Sequence, residues 1–135
     1  MIRLLLQEKQ EEVKDRKELI YHEKIINAPE NYTDDMLRGI YSANPMVKYV
    51  EDDLRCYCVA EKKPGKVAII TGGGTGHLPL FLGYVGDGLL DGCGVGGVFQ
   101  SPSSEQIYNV AKEVDAGAGV LFLYGNYTGD IMNFD

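Results

Sequence analysis

The pattern of hydrophobic and polar positions changes character near Gly65. Charged residues are frequent before Gly65, whereas short apolar runs separated by glycine follow it. Gly39 is the one glycine that precedes Gly65. Apolar runs of strand length that alternate with amphipathic segments are typical of α/β folds. The pattern therefore predicts an α/β domain whose glycine-rich part carries the sheet.

Two helices are predicted from apolar periodicity and from capping residues. The first begins near Asn31 or Thr33, either of which can cap it, and ends at residues 44–45, where Asn precedes Pro. Its apolar face consists of Met36, Leu37, Ile40 and Tyr41. The second helix follows Ser103, because Ser103-x-x-Gln106 is a capping-box pattern. Its inner face consists of Ile107, Val110, Ala111 and Val114.

Three strands are predicted in the glycine-rich part. Residues 66–71 form an unbroken β-branched run, residues 91–98 a shorter run with glycines, and residues 119–124 an apolar run. The apolar connection at 78–90 is predicted to be helical. This order predicts a mostly parallel sheet with flanking helices.

The N-terminal residues have a different sequence pattern from the rest of the chain. Residues 1–23 are predicted to be a polar N-terminal extension, helical or disordered, and residues 24–135 the N-terminal part of an α/β domain that is incomplete. The apolar Leu4–Leu6 run is too short for a signal peptide, and no run approaches the length that spans a bilayer. We expect a cytoplasmic protein that does not bind membranes.

Charge is distributed unevenly along the chain, whose net charge is -7. Residues 67–135 contain Lys112 as their only lysine or arginine, against seven acidic residues. Such a segment repels nucleic acid and is poorly suited to hold a triphosphate by itself. We therefore expect a ligand that is neutral or that brings its own cations.

The cysteines favour a reduced protein without a metal site. Cys56, Cys58 and Cys93 are odd in number, and Cys56-x-Cys58 lacks a second ligand pair at zinc-finger spacing. We interpret all three as reduced, structural residues.

Candidate chemistry lies in the loops that follow predicted strands. The loop at 71–77 ends in His77, and Asp130 follows the third strand. Loops after parallel strands open at one edge of a sheet, so a histidine and a carboxylate there can share acid–base work. The loop glycines also permit backbone N–H groups to approach a ligand closely. Structural interpretations exist as well: His77 can satisfy a backbone carbonyl, Asp130 can cap a helix from Ile131, and Ser101 is interpreted as a helix-start residue.

A nucleotide site is the alternative that the glycine loop leaves open. No Gly-Lys-Ser/Thr follows, so the loop is not a P-loop. Gly72 and Gly74 fit a dinucleotide fingerprint, whereas its third glycine position is occupied by His77. Asp91 lies about where such folds place a ribose-binding acid. A nucleotide-binding α/β domain therefore remains an alternative hypothesis.

Five motifs in order carry a family resemblance that covers about residues 24–135. The motifs are Ile26–Glu30, Thr71–Pro79, Val98–Pro102, Asp115–Gly119 and Asn126–Phe134. On these motifs, the chain resembles the N-terminal part of the dihydroxyacetone kinase K subunit, the ketose-binding subunit of that kinase family.

The resemblance implies roles for individual residues. Gly74, Thr75, Gly76 and His77 match the substrate-binding loop of the family. His77 matches its acid–base histidine, and Asp130 matches the carboxylate that contacts and activates the hydroxyl receiving phosphate. The family's covalent histidine, which holds the ketose as a hemiaminal, lies outside this chain.

The resemblance also implies activity and partners. It implies a glycerone (dihydroxyacetone) kinase-type phosphotransferase that acts as a homodimer, with this chain inactive by itself. No cofactor is expected on this chain. The phosphoryl donor, ATP with Mg²⁺ or a phosphotransferase relay, is expected on a partner subunit or domain.

Two positions depart from the family pattern. Leu78 stands where dihydroxyacetone-specific members carry Glu, and Gly125 stands where they carry Lys. The departures favour either a longer ketose, such as the tetrulose erythrulose, or a non-catalytic ketose-binding regulator.

Overall fold

The structure is a computed structural model that describes residues 27–77 and 81–135. The chain divides into two compact units, residues 1–32 and residues 33–135. In the first unit, Pro29–Asn31 form a 3₁₀ turn. The extension predicted over residues 1–23 lies outside the described residues.

The second unit is built on a five-stranded mixed sheet with the strand order β1-β2-β4-β3-β5. Strand β3 pairs in parallel with both β4 and β5, whereas β2 pairs antiparallel with both β1 and β4. The α/β prediction is confirmed, with the difference that an antiparallel hairpin makes the sheet mixed. The strands are β1 (Val47–Val50), β2 (Asp53–Val59), β3 (Ala68–Gly73), β4 (Gly92–Val95) and β5 (Val120–Phe122).

Among the described residues, three α-helices accompany the sheet: α1 (Tyr32–Ala43), α2 (Ser104–Val114) and α3 (Thr128–Phe134). Successive residues of β2 point to opposite faces, so Tyr57 joins one hydrophobic core with Leu37 of α1, and Cys56 joins another with Val110 of α2. Both predicted helix faces are confirmed. Within residues 27–77 and 81–135, no helix is long and apolar enough to cross a bilayer.

Helix α2 begins where its capping box predicts. The Gln106 amide donates to Ser103 Oγ at 3.2 Å, and the Ser103 amide donates to Gln106 Oε1 at 3.0 Å. The helix also lies very close to β4, since a Cβ added at Gly92 would stand 2.5 Å from Val110 Cγ1. A glycine in the strand is therefore required for this packing.

The β1–β2 hairpin is not predicted from the sequence. Its strands are joined through Glu51 and Asp52, which have φ angles of 56° and 55°. Hairpin turns with positive φ normally contain Asn, Asp or Gly, so Glu51 gives no turn signal, and Asp52 without a following glycine gives a weak one.

The helix predicted at 78–90 is wrong over its described part. Residues 81–90 contain a 3₁₀ turn at Leu82–Tyr84 and an isolated bridge between Val85 and Leu90. Gly88 has a φ of 88°, which an α-helix does not accommodate. Residues 78–80 lie outside the described part of the chain.

Candidate functional site

The loops that follow β3 and β4 are hydrogen-bonded to each other. The Thr75 amide donates to the Gly97 carbonyl at 2.9 Å, and the Gly76 amide donates to the Val98 carbonyl at 2.8 Å. A Cβ at Gly76 would lie only 2.7 Å from the Val98 oxygen, so this contact requires glycine. These two amides are engaged within the protein, and Gly76 permits the two loops to pack together.

The side chain of Thr75 is directed at helix α1. Thr75 is 3% exposed, and its hydroxyl lies 3.5 Å from that of Thr33, which is 4% exposed. Gly74, the half-buried residue before it, would carry a Cβ 3.0 Å from the Val98 oxygen. The loop predicted to bind substrate is thus held by backbone hydrogen bonds to the loop after β4 and by a hydroxyl contact to α1.

His77 ends this loop in a 3₁₀ turn, Thr75–His77. Its side chain lies outside the described part of the structure, as does Leu78. The pairing of His77 with Asp130 therefore stays a prediction.

Asp130 lies in the first turn of α3 and is 5% exposed. Its interpretation as the N-cap of a helix from Ile131 is wrong, because α3 begins at Thr128 and Tyr127 occupies the N-cap position. A Cβ added at Gly125 would lie 3.5 Å from Asp130 Oδ2. A buried carboxylate therefore faces a backbone segment that carries no side chain.

Ser101 is the site residue whose importance was not predicted. Its Oγ is buried and has no hydrogen-bond partner among the residues that the structure describes. Its Cβ is 3.5 Å from the position of a Cβ at Gly129, next to Asp130. An unpaired buried hydroxyl costs about 1–3 kcal/mol, which a polar ligand would recover. The available signal was that Ser103 makes the capping box, which leaves Ser101 without a helix-capping role.

Parallel pairing brings these parts to one edge of the sheet. The glycine loop follows β3, the segment with Ser101 follows β4, and Asp130 follows β5. Helix α3 closes on the end of β3, since a Cβ at Gly72 would lie 2.9 Å from Phe134 Cζ and 3.1 Å from Pro102 Cγ. The candidate site is therefore the carboxyl edge of the parallel strands, where α/β folds bind ligands.

Asp91 is not placed for a dinucleotide site. Lys66 Nζ lies 2.7 and 2.8 Å from its two carboxylate oxygens, and the Ile69 amide donates to Oδ2 at 2.8 Å. Asp91 directly precedes β4, whereas the glycine loop follows β3, so the two lie at opposite edges of the parallel pair. This arrangement argues against the dinucleotide alternative.

The three cysteines are unpaired and buried. Burial raises the pKa of Cys56 to about 12 and that of Cys58 to about 11, and it also raises the pKa of Cys93. Neutral thiols are poor nucleophiles and poor metal ligands. In the part of the chain that the structure describes, no group of three or more His, Cys, Asp or Glu residues is arranged to hold a metal ion.

Two curated relatives illustrate the sequence similarity, and each aligns with most of this chain. The chain is 42% identical over 112 residues to the PTS-dependent dihydroxyacetone kinase 1, dihydroxyacetone-binding subunit DhaK, of Listeria innocua, with 83% of this chain and 34% of the relative covered. It is 46% identical over 113 residues to the D-erythrulose kinase of Mycolicibacterium smegmatis, with 83% and 19% covered.

Two solved structures have a similar fold. The dihydroxyacetone kinase from C. freundii in complex with AMP-PNP and Mg²⁺ matches with a TM-score of 0.74 and 32% identity, over 82% of this chain and 21% of that one. The dihydroxyacetone kinase operon co-activator Dha-DhaQ matches with a TM-score of 0.68 and 33% identity, over 74% and 30%.

The family assignment rests on most of the chain, although the chain is short beside its relatives. It spans about a third of the length of the Listeria innocua subunit and about a fifth of the D-erythrulose kinase. The Dak1 domain matches residues 38–135, which include both loops of the candidate site and helix α3. The chain therefore belongs to the Dak1 domain family.

Proposed function

We propose that the chain is part of a ketose-binding subunit of a dihydroxyacetone-type kinase. The reaction would phosphorylate a terminal hydroxyl of a small ketose, either dihydroxyacetone or a tetrulose such as erythrulose. The observation that carries this proposal is the buried Asp130, whose neighbour Gly129 packs against Ser101 with its unpaired hydroxyl, at the edge where the loops after β3 and β4 meet. The names of the relatives support a ketose as the ligand.

Each residue has a distinct role in this proposal. Asp130 accepts the proton of the ketose hydroxyl that receives phosphate, and His77 is its acid–base partner. The Ser101 hydroxyl hydrogen-bonds the ketose and so gains the partner that it lacks within the protein. Gly74, Thr75 and Gly76 form one wall of the binding site, because their loop is held against the loop after β4.

The phosphoryl donor lies on a partner in this proposal. Residues 67–135 carry a charge of -6, one lysine against seven acids, and the glycine loop is not a P-loop, so this part is poorly suited to a triphosphate. ATP with Mg²⁺ on a nucleotide-binding subunit or domain is one donor, and a phosphotransferase relay is the other. A cytoplasmic homodimer is the assembly expected from the family resemblance.

Position 125 is proposed to set the size of the ketose. A side chain there would start 3.5 Å from Asp130 Oδ2 and 3.0 Å from the Tyr127 ring. Because glycine places no side chain between the Tyr127 ring and the carboxylate, we infer that a longer substrate is accommodated there. The chain is 46% identical to a D-erythrulose kinase and 42% identical to a dihydroxyacetone-binding subunit, so both ketoses are candidate ligands.

A thermal-shift experiment on the full-length protein tests the ligand class. Dihydroxyacetone, erythrulose and ATP with Mg²⁺ are added separately, and a ketose at a hundredfold excess over its Kd should stabilise the protein by about 2.7 kcal/mol. Stabilisation by the nucleotide and by neither ketose would contradict the proposed function.

The variant Gly125→Lys tests the size determinant. We expect the preference to move from erythrulose toward dihydroxyacetone, because the lysine occupies space in front of Asp130. Gly39→Lys is the matched control, since a Cβ there meets nothing within 4 Å on helix α1. Equal ketose preferences in the wild type and in Gly125→Lys would contradict the role of position 125.

A non-catalytic ketose-binding regulator is the second candidate function. It is favoured by the similarity to the co-activator, which has a TM-score of 0.68 with this chain. A turnover assay with ketose and either phosphoryl donor separates the two functions. Ketose binding without ketose phosphate formation, with both donors supplied, would identify the regulator.

A further inference from the structure

We propose that Asn133 is a positioning residue that holds Asp130 in the candidate site, a role that rests on the function proposed above. Asn133 is half-buried in helix α3, and its Nδ2 donates a hydrogen bond of 2.8 Å to the carbonyl oxygen of Pro102. Pro102 is fully buried and directly follows Ser101. This single bond therefore ties the helix with the carboxylate to the segment with the unpaired hydroxyl.

Helix α3 depends on such anchors because it has only 7 residues. A helix this short gains little from its own hydrogen bonds, since nucleation is unfavourable and few bonds follow it. Its position is set by contacts with the rest of the fold. One contact is the Asn133 bond, and another is the Phe134 ring, which stacks on Tyr124 at a centroid distance of 4.3 Å.

The two anchors have different consequences for Asp130. Asn133 lies three positions after Asp130 in α3, so the two residues are neighbours on the helix surface. The same surface meets the segment at Ser101, because a Cβ at Gly129 would stand 3.5 Å from Ser101 Cβ. Loss of the Asn133 bond frees α3 to shift against Ser101, while Phe134 keeps the helix attached to the fold. A displacement of about 1 Å at a reacting group lowers a rate by about a hundredfold.

The test compares two variants of the full-length protein, assayed with a ketose and the phosphoryl donor. Asn133→Asp keeps the shape of the side chain and removes the donor, and Asn133→Ala removes the side chain without adding charge. We expect kcat to fall about 10- to 100-fold in both, with the KM for the ketose changed less than about threefold. Asn109→Ala is the matched control, because Asn109 lies in α2 and lines, with Lys112, a surface cavity that contains no residue of the candidate site. Its kcat should equal that of the wild type.

A double-mutant cycle separates positioning from general stability. Asn133→Ala is added to Asp130→Asn, and residual turnover per folded molecule is measured. If Asn133 acts through Asp130, the second substitution should lower this residual rate by less than about twofold. A further fall as large as that in the wild type would overturn the role of Asn133, as would an unchanged kcat in Asn133→Asp. A wild-type protein that neither binds nor phosphorylates a ketose would instead remove the proposed function itself.

Discussion

The two edges of the parallel strands use their polar groups in opposite ways. At the amino edge, Asp91 accepts two contacts from Lys66 and a third from the Ile69 amide. At the carboxyl edge, the Ser101 hydroxyl is buried without a partner in the described structure, and Asp130 is 5% exposed. One edge satisfies its buried polar groups internally, and the other keeps a polar group available. The difference supports the proposal that the second edge binds the ligand.

Further contacts at the amino edge support this division. Lys62 Nζ donates to the carbonyl oxygens of Glu113 and Asp115 at 3.0 and 3.2 Å, at the C-terminal end of α2. A cation there stabilises a helix by interacting with its last carbonyl groups. Lys63 and Asp87 form an exposed ion pair nearby. The amino edge therefore contributes to stability, and damage to it should leave ligand binding intact.

The largest expected effect comes from Asp130→Asn, which disrupts the carboxyl edge. Loss of the proposed proton acceptor should lower turnover by about a thousandfold in a complete subunit supplied with its donor partner. Ketose affinity should change little, because the amide keeps the size of the carboxylate. Steady-state kinetics and calorimetric titration with the ketose measure the two quantities. Turnover near the wild-type rate would remove Asp130 from its role.

The next effect comes from Asp91→Ala, which disrupts the amino edge. Lys66 loses its carboxylate partner and the Ile69 amide loses its acceptor, so we expect the free energy of unfolding to fall by about 2–3 kcal/mol. Urea denaturation measures this change. Ketose affinity should stay at the wild-type value, and a large loss of affinity would contradict the division between the edges.

Asp87→Ala is the control for this second prediction. Its pair with Lys63 is exposed on both sides, with side chains 66% and 64% accessible. Exposed ion pairs contribute little to stability, so the urea midpoint should barely move.

The smallest expected effect comes from Thr33→Val, which leaves the Thr75 hydroxyl without its partner in α1. The hydroxyls lie 3.5 Å apart, a long contact, so we expect a loss of about 1 kcal/mol in the free energy of unfolding. Thr33→Ser should retain most of the wild-type stability. Equal urea midpoints for the valine and serine variants would show that the hydroxyl contact contributes nothing.

Features with local causes were predicted from the sequence. The capping box of α2 depends on Ser103 and Gln106, and both of its hydrogen bonds are present. The face of α1 follows from helical periodicity, and its Leu37 is fully buried. Both features depend on residues a few positions apart, so the pattern alone is sufficient to predict them.

Features that depend on backbone geometry or on distant contacts were not predicted. The β1–β2 hairpin turns through Glu51 and Asp52 with positive φ, and Glu51 is not a residue type that such a turn favours. The connection before β4 is apolar like a helix, but Gly88 at a φ of 88° departs from helical geometry.

The candidate site was predicted only in part, because some of its features also depend on contacts between distant residues. Asp130 was selected by its position after a strand, and the structure buries it in the first turn of α3. Ser101 was missed because a hydroxyl without a partner is a property of packing. The capping box at Ser103 showed only that Ser101 has no helix-capping role. Asp91 matched a ribose-binding acid by its spacing from the glycine loop. The strand predicted at 91–98 already placed Asp91 at the start of a strand, and the parallel pairing of β3 with β4 places it at the edge opposite the glycine loop.

The bonds from the Thr75 and Gly76 amides to the loop after β4 also have a thermodynamic consequence. Because this wall of the site is already ordered, an incoming ligand has little loop entropy to remove. Preorganisation of this kind raises affinity without adding any contact. It should appear as slow hydrogen–deuterium exchange at both amides in the ligand-free protein, with little further slowing after a ketose is added.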